Sequence, residues 1–359
     1  MAGNIIIIGP FPPPVHGMSK NLLALHDDLN PNVDCIKLNT SPGTLVRGLR
    51  YHGMKFLRVV YSFFKLIFLS LVRDIKCVYL PPDAGVGTWY SLLFVLVCKV
   101  FNHKIFMHHR SFAYIHKAHL PMRILTSVSS NIATHIFLCN CMADKFIQRY
   151  KGCDNHCVVS NAMHIKEFYP KVRDFDRKVH LGFLSNVSFD KGIDVAIEIA
   201  KNVFDTEVDI DFTIAGPFED EAVESFVTDK IAENSFIKYL GPVYGEDKFK
   251  FYSNIDFFVF PTQYRNEAQP NVLFEAMAYG VPIISLDIAC IRSDIPESCG
   301  FIGQLNQNFV SHAANFITQN FPGTEKYTEI SDNCIKFIES SSANSLISYK
   351  ELLSRLSNA

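Results

Sequence analysis

The chain has 359 residues, of which 48% are hydrophobic and 19% are charged, and its formal net charge is −2 at pH 7. This length suits two domains, each with its own core, better than one. The chain shows no basic excess, which argues against a nucleic-acid-binding protein, so we expect no nucleic-acid partner.

Ten cysteines are scattered through apolar runs. This pattern is typical of reduced thiols packed as small hydrophobic side chains, since a disulfide scaffold is shorter and denser in cysteine. The spacings among Cys139, Cys141, Cys153, His156 and Cys157 do not match the paired Cys-x2–4-Cys pattern of zinc sites. We therefore expect no metal site.

Short apolar strands alternate with longer helical patterns through the whole chain. The pattern predicts strands at residues 4–8, 77–80, 104–107, 135–139, 157–159, 179–184, 211–215, 237–240, 256–260 and 283–286. It predicts helices at residues 20–28, 89–101, 143–150, 195–202 and 270–279. This alternation predicts an α/β protein with parallel sheets covered by helices on both faces.

The plan of elements occurs twice, with a polar stretch rich in Lys, Asp and Arg between the two halves. We expect two Rossmann-like doubly wound domains that face a central cleft, with the carboxyl ends of both sheets opening onto it. The expected boundaries are a first domain at 1–165, a linker at 166–178, a second domain at 179–335 and a C-terminal helix at 336–359. That helix is expected to pack back toward the first domain.

Residues 55–73 are strongly apolar but are interrupted by Arg58 and Lys65, whereas a membrane span needs about 20 clean apolar residues. At 100° per residue, Lys55, Arg58, Ser62, Lys65 and Arg73 fall on one narrow face. This pattern is typical of a helix that lies at a membrane interface. It equally fits a core helix whose basic face meets water, and both interpretations stay open. The run at residues 5–8 is too short for a secretory signal, so a cytoplasmic location or the cytosolic face of a membrane is expected.

The most informative motif places Glu267 just before a predicted helix and Glu275 inside it. Pro270 suits the first turn of a helix, and Gly280 suits its end. Free amides at a helix start can hold an anion, while carboxylates are strong acceptors for paired hydroxyls. A sugar nucleotide has the matching order of sugar hydroxyls, diphosphate and ribose diol.

This stretch resembles the E-x7-E signature of retaining GT-B glycosyltransferases, in particular glycosyltransferase family 4, with the nearest likeness to bacterial O-antigen and capsule enzymes. The resemblance extends over nearly the whole chain and implies the GT-B fold. It implies that Glu267 contacts hydroxyls of the donor sugar and that Glu275 contacts the ribose. The Ala-Met-Ala-x-Gly-x-Pro run that follows Glu275 is also typical of the family.

The resemblance also implies a phosphate site at the turn that carries Lys191. Family members usually show a Gly-Arg pair a few residues before Lys-Gly, and here Asn186 stands where the Arg is expected. Lys191 and the helix dipole must then suffice, or Arg265 supplies the second cation. A Lys in a strand-to-helix turn can meet a phosphate together with the helix amides.

A glycine-containing loop after the first strand is expected at the catalytic mouth, with Gly17 in the key place and His16 before it. The resemblance implies a catalytic histidine after the strand at 104–107. His109 fits its form best, with His108 as the alternative. The other donor-side residues are Ala268, Gln269, Pro270, Asn271 and Val243, and the acceptor side comprises His16, Gly17, Met18, His108, Arg110 and Asn161.

Asp209 and Asp211 have the Asp-x-Asp form of metal-dependent transferases, but they start a strand and so lie at the wrong end of the sheet.

The resemblance implies transfer of a hexosyl group from a nucleotide-sugar with retention at the anomeric carbon. A UDP-sugar is the favoured donor, and a GDP-sugar is next. The expected acceptor is a glycan or an undecaprenyl-linked oligosaccharide of bacterial surface polysaccharide synthesis. No cofactor and no metal are implied. The alternatives are a non-hydrolysing UDP-sugar epimerase of GT-B fold and a non-catalytic sugar-nucleotide-binding scaffold.

Overall fold

The computed structural model describes residues 4–14, 17–31, 33–44, 48–169, 178–206 and 208–359. The chain divides into two compact units, the first comprising Met1–Ser160 with Ile347–Ala359 and the second Asn161–Leu346. The predicted first domain at 1–165 ends close to this division. The predicted linker at 166–178 falls largely on residues 170–177, which lie outside the described residues.

The first unit is built on a six-stranded sheet. Its strands are β1 (Asn4–Gly9), β2 (Cys35–Asn39), β3 (Ile75–Leu80), β4 (Lys104–His108), β5 (Ala133–Phe137) and β6 (His156–Val158). Its helices are α1 (Gly17–Leu29), α2 (Leu49–Val72), α3 (Thr88–Val100), α4 (Ala113–His116), α5 (Leu120–Ser129) and α6 (Asn140–Arg149). The strand order is β2-β1-β3-β4-β5-β6, and every pairing is parallel. The prediction of a parallel α/β sheet is confirmed.

The second unit repeats this architecture. Its strands are β7 (Val179–Leu184), β8 (Ile210–Ala215), β9 (Ile237–Tyr239), β10 (Phe257–Phe260), β11 (Ile283–Leu286) and β12 (Gly300–Gly303). Its helices are α7 (Ile193–Phe204), α8 (Glu221–Glu233), α9 (Glu246–Ser253), α10 (Asn271–Met277), α11 (Ile291–Asp294) and α12 (Phe309–Gln319). The sheet order is β12-β11-β10-β7-β8-β9, again parallel throughout. A last helix, α13 (Glu325–Ser357), has 33 residues and runs from this unit into the first.

The apolar sequences of the strands explain the buried core of each unit. β1, β10 and β11 are buried along their whole length, as expected of parallel strands covered on both faces. Eight of the ten cysteine thiols are buried and all ten are free, so the prediction that they pack as small hydrophobic side chains is confirmed for most of them.

Two of the differences between predicted and observed bounds have a clear physical cause. The strand predicted at 135–139 is β5, which ends at Phe137 because Cys139 becomes the N-cap of α6 and its Sγ accepts a hydrogen bond from the Met142 amide at 3.3 Å. The helix predicted at 270–279 is the seven-residue α10. Pro270 has ψ 120°, which is extended backbone, so it caps this helix from outside and does not lie in its first turn.

The helix at residues 55–73 turns its apolar side outward and its Ser62 side inward. In α2 the buried positions are Val59, Ser62, Leu66 and Leu69, so the predicted basic face that includes Ser62 points partly into the unit. The apolar side chains on the opposite side of the helix are exposed. The interpretation of a core helix that turns its basic face to water is therefore wrong. Among the described residues, no helix is both long enough and apolar enough to span a membrane.

Candidate functional site

The candidate site lies where the strand order of the second sheet reverses. From β7 the chain moves outward through β8 and β9, and it then returns to β10, which pairs with the other side of β7. The loops after β7 and β10 leave the sheet in opposite directions at its carboxyl edge. Such a switch point opens a crevice, and open α/β sheets bind their ligands there.

The two loops bring Lys191 and Glu267 together. Lys191 follows β7 and Glu267 follows β10, and the Lys191 Nζ lies 2.5 Å from Glu267 Oε2. Both side chains are largely shielded, with 20% and 12% of their surfaces exposed. The same ammonium lies 4.6 Å from the ring centroid of Tyr264, a cation–π distance. The predicted sugar-binding carboxylate and phosphate-binding cation are therefore neighbours.

Gly192 fixes the turn that presents Lys191. Its φ is +80°, and a Cβ added there would lie 2.1 Å from the carbonyl oxygen of Pro261, so only glycine fits. The Lys191 amide donates to the Ser188 carbonyl at 3.1 Å, and α7 begins immediately after Gly192. Because Pro261 directly follows β10, this close approach holds the two loops against each other.

Glu275 is held by a second lysine. Its Oε2 lies 2.5 Å from Lys248 Nζ and accepts a hydrogen bond at 2.9 Å from the hydroxyl of Tyr252. Burial, and then the nearby Glu275 charge, raise the pKa of Tyr252 well above its usual value, so this hydroxyl stays protonated and donates. Each carboxylate of the Glu267 and Glu275 pair thus has its own ammonium partner.

The sequence reasoning missed Lys248. It lies in a charged stretch that looks like any exposed helix. One signal could have found it, because Lys248 and Tyr252 are four residues apart on α9 and therefore share a face of that helix. That face meets Glu275 on α10.

Gln269 ties the site loop to the rest of the second unit. Its Oε1 accepts from the Asn161 backbone amide at 2.6 Å, its carbonyl accepts from Asn161 Nδ2 at 3.0 Å, and its Nε2 donates to Asp294 Oδ2 at 2.9 Å. Asn161 was expected on the acceptor side, and here it supports the loop that carries Glu267. Gln269 is buried, so it positions that loop.

The other predicted donor-side residues lie in the same two loops or border the core. Asn186 and Arg265 are exposed, in the loops that also carry Lys191 and Glu267. Ala268 and Pro270 are buried, Asn271 is half-buried, and Val243 packs partly against the core of the second unit. The Oδ1 atom of Asn271 is buried and makes no hydrogen bond within the described part of the chain.

In the first unit, the loop after β1 lies at the corresponding reversal of strand order, between β1 and β3. Gly17 is the first residue of α1, is exposed, and has no atom within 4 Å of where a Cβ would lie. Met18 follows in the same turn, and the Ser19 hydroxyl donates to the Pro14 carbonyl at 3.0 Å. His16 lies outside the described residues.

His109 is packed inside the first unit. It has 0% exposure, its Nδ1 lies 3.1 Å from the Tyr114 hydroxyl, and its Nε2 lies 2.9 Å from His135 Nδ1. Burial lowers the pKa of His109 well below its usual value, so the ring is neutral. The sequence position of His109 predicted a contact with a donor sugar. Both of its ring nitrogens already have partners within the first unit, so neither is open to make that contact. The ring stacks on Phe137 and closes the local core.

His108, the alternative, is also buried and lies at the end of β4. Its Nδ1 is 2.5 Å from the Tyr79 hydroxyl and 3.4 Å from Arg110 Nη2. The half-buried Arg110 thus lies beside this pair. Burial raises the pKa of Tyr79 to about 12, and the positive charge and hydrogen bond of Arg110 oppose that rise.

The Asp-x-Asp pair lies at the opposite edge of the second sheet, as predicted. Asp211 lies near the start of β8 and pairs with Lys178 at 3.1 Å and Lys238 at 3.0 Å. Burial opposes its ionisation, but hydrogen bonds from both lysines hold the pKa of Asp211 below its usual value. Asp211 is therefore part of a structural ion-pair cluster.

Comparison with known proteins gives matches of two kinds. Residues 178–317, most of the second unit, match the family described as "Glycosyl transferases group 1". No curated protein sequence matches the chain. Among solved structures, the Anabaena protein Alr3699/HepE in complex with UDP-glucose superposes with a TM-score of 0.70 at 14% identity, covering 98% of this chain and 99% of that one.

Two further structures are similar. Sucrose-phosphate synthase from Thermosynechococcus elongatus gives a TM-score of 0.72 at 13% identity and covers 99% of both chains. The pneumococcal O-GlcNAc transferase GtfA in complex with UDP and GlcNAc gives 0.61 at 13% identity, covering 82% of this chain and 60% of that one. At these identities the solved structures establish the fold, so the chain has the GT-B fold with two Rossmann-like domains. With the family match over residues 178–317, the comparisons support a GT-B glycosyltransferase.

Proposed function

We propose that the chain is a retaining glycosyltransferase that moves a hexosyl group from a nucleotide-sugar to a glycan acceptor. The observation that carries this proposal is the Lys191–Glu267 pair at the switch point of the second sheet. An ammonium and a carboxylate side by side match the two ends of a sugar diphosphate, which are an anion and a set of hydroxyls.

The donor is proposed to enter by separating the Lys191–Glu267 pair and binding both of its groups. Its diphosphate draws Lys191 away from Glu267, which then accepts hydrogen bonds from sugar hydroxyls. The ribose diol donates to Glu275, which Lys248 and Tyr252 hold in position. A UDP-sugar is favoured, with a GDP-sugar next, and the UDP complexes of Alr3699/HepE and of GtfA support this order for the donor.

The proposed reaction is a front-face displacement. The bond between the anomeric carbon and the diphosphate oxygen breaks, the acceptor hydroxyl oxygen forms the new bond on the same face, and the hydroxyl proton passes to the leaving diphosphate oxygen. Negative charge grows on the leaving diphosphate as this happens. Lys191, Asn186 and the amides at the starts of α7 and α10 are proposed to stabilise that charge, as preorganised dipoles and charges do. Arg265 is proposed as the second cation, because it is exposed in the same loop as Glu267.

The acceptor is proposed to be an undecaprenyl-linked oligosaccharide or another glycan of bacterial surface polysaccharide synthesis. The described residues that we propose for the acceptor side are Gly17 and Met18 at the start of α1, with Arg110 near the end of β4. A lipid-linked acceptor would place the protein in the cytoplasm, at the inner membrane.

The donor proposal is tested by thermal unfolding in the presence of UDP-, GDP-, ADP- and TDP-sugars. A ligand that binds the folded state raises the midpoint by mass action, so the correct donor gives the largest rise. No rise with any of these nucleotides would reject the proposal. Conversion of a free UDP-sugar without an acceptor would identify an epimerase instead, and binding without any turnover would identify a scaffold.

The role of Lys191 is tested with Lys191→Met, which keeps the length of the side chain and removes its charge. Loss of one preorganised transition-state contact costs roughly a hundredfold or more in kcat, and we expect a fall of that size in donor turnover with the fold intact. Arg265→Ala should give a smaller fall. Normal turnover by Lys191→Met would contradict the phosphate role, and normal turnover by Arg265→Ala would remove Arg265 from the site. Retention is checked by NMR of the anomeric proton of the product.

A further inference from the structure

The exposed side of α2 is apolar over most of its length. Leu57, Tyr61, Phe64, Phe68 and Leu71 all lie on the outer surface of this helix, and Phe64 and Leu71 expose 64% and 69% of their surfaces. Their spacing of three and four residues puts them on one continuous face. Single exposed apolar residues are ordinary, but a contiguous apolar face of this extent marks an interaction surface.

The neighbouring helix extends this face. Trp89, Leu93, Leu96 and Val100 of α3 are exposed and recur every three or four residues, so they too form one stripe. We call the exposed apolar side chains of α2 and α3 together the α2–α3 face.

An apolar cavity of about 270 Å³ lies within this face. Phe63 and Ile67 of α2 and Leu96 and Val100 of α3 are among its lining residues, and all of the residues that line it are hydrophobic. A groove of this kind suits hydrocarbon better than a polar ligand, because it offers no side-chain hydrogen-bonding group.

Basic side chains border the α2–α3 face. On α2, Arg58 is exposed, and Lys65 is half-buried with its Nζ 5.6 Å from the Tyr61 ring centroid. Lys99 of α3 is also exposed. Neither helix contains a single Asp or Glu. The rim is therefore cationic, with the apolar residues at its centre.

We propose that the α2–α3 face docks on the surface of an anionic lipid bilayer. The apolar side chains enter the region between headgroups and acyl chains, as they do in amphipathic helices at membrane interfaces. Arg58, Lys65 and Lys99 attract the negative headgroups. A second copy of the chain fits less well, because two such faces would bring rims of like charge together. The inference does not depend on the glycosyltransferase proposal, since it concerns binding without a donor.

The test measures sedimentation of the full chain with phosphatidylcholine vesicles, with and without phosphatidylglycerol. We expect binding to the anionic vesicles that weakens as salt is raised. The variant Phe64→Ser/Phe68→Ser should lower the bound fraction at least tenfold. The matched control is Leu305→Ser/Ile347→Ser, which removes two apolar side chains of similar exposure, 55% and 58%, that belong to neither α2 nor α3. It should bind like the parent chain.

Trp89 provides a second measurement, because it is the only tryptophan of the chain and lies in the α2–α3 face. Its emission should shift to shorter wavelength on anionic vesicles and should be quenched by brominated acyl chains. Thermal unfolding of each variant checks that it is folded. Three results would overturn the proposal: no sedimentation of the parent chain, unchanged binding of Phe64→Ser/Phe68→Ser, or a dimer in solution that this variant converts to a monomer.

Discussion

Lys248 and Lys250 lie two residues apart on α9 but have different environments. Lys248 pairs with Glu275 at 2.5 Å, whereas Lys250 is 67% exposed and its ammonium lies 3.5 Å from Asp247. Without Lys248, the Tyr252 hydroxyl is the contact left to orient Glu275 among the residues that the structure describes. We expect Lys248→Ala to raise the donor KM about five- to tenfold with little change in kcat, because the contact with Glu275 serves binding.

The matched control is Lys250→Ala, which removes an exposed pair of the kind that contributes little. Steady-state kinetics with the donor varied should leave its KM unchanged. Equal effects of the two variants, or no effect of either, would show that Lys248 has no role in orienting Glu275.

The His109–His135 contact makes the first unit sensitive to acid. Burial lowers the pKa of His135 to about 4 and that of His109 well below its usual value. The unfolded chain takes up these protons near pH 6.5. The stability contributed by these two residues is therefore complete above about pH 6.5 and is lost as the pH falls toward 4.

We expect the thermal unfolding midpoint to fall between pH 6.5 and pH 4, because the free energy of unfolding falls by at most about 1.4 kcal/mol per pH unit for each histidine. His135→Phe keeps the stacking with Phe137 and removes one titrating ring, so its slope should be shallower. His312→Phe, at an exposed position on α12, is the control and should keep the parent slope. Parallel curves for all three proteins would reject the assignment.

At the residue scale, the sequence predicted the neighbours that a motif places together in the candidate site. Glu267 and Lys191 lie in the loops after β10 and β7, where the topology of a doubly wound sheet collects ligand groups, and Glu275 lies in the following helix α10. Lys248 was not predictable, because its role depends on how α9 packs beside α10. His109 also follows a strand, but the stacking that encloses its ring comes from residues distant in sequence.

At the scale of the secondary-structure element, replacing glycine by alanine is expected to have opposite effects on stability at two positions. Gly53 lies inside α2, is exposed, and has no atom within 4 Å of an added Cβ. Gly53→Ala should therefore stabilise the first unit by about 0.5–1 kcal/mol, since glycine has the lower helix propensity. Differential scanning calorimetry should show a higher midpoint.

Gly192→Ala is the contrasting change. Its Cβ would meet the Pro261 carbonyl at 2.1 Å with φ +80°, so we expect marked destabilisation of the loop that carries Lys191 and loss of donor binding. A Gly53→Ala protein that melts lower than the parent would contradict the conformation described for α2.

Elements with strong periodicity were predicted and weakly patterned ones were missed. The fully apolar β1, β10 and β11 were found because burial on both faces leaves a continuous apolar run. β2 mixes buried and half-buried residues without alternation over its five positions, and β12 contains two glycines, so neither has a clear signal. The outward turn of α2 could not be predicted, because both of its faces carry apolar residues.

At the scale of the whole molecule, the end of α13 belongs to the first unit. Leu356 is 0% exposed, the Lys76 Nζ donates to the Ser357 carbonyl at 2.9 Å, and the Tyr349 hydroxyl donates to Asp28 at 2.7 Å. We expect Leu356→Ala to destabilise the first unit by about 2–5 kcal/mol, as loss of a buried leucine side chain does.

Leu346→Ala on the same helix is the control, because Leu346 is 39% exposed. It should lower the midpoint only slightly. Limited proteolysis should show faster cleavage of the first unit in Leu356→Ala alone. Similar resistance of both variants would mean that the packing of residues 347–359 contributes little.

The sequence predicted two doubly wound units because the βα alternation occurs twice, and this is a property of local patterns. It predicted a C-terminal helix at 336–359, but the helix begins earlier, at Glu325. The second unit gives way to the first within the continuous helix α13. The position of that boundary depends on contacts between residues nearly the whole chain apart, such as Asp28 and Tyr349. Local patterns carry no information about such pairs.

The composition of the first unit has a consequence for biosynthesis. Residues 347–359 complete this unit, yet a ribosome makes them only after residues 161–346. Residues 161–346 have all been translated before the first unit possesses its final segment, so the second unit can finish folding first although it is made later. Until then, the surface of the first unit that covers Leu352 and Leu356 stays exposed on the nascent chain. A chaperone would bind the apolar groups of that surface.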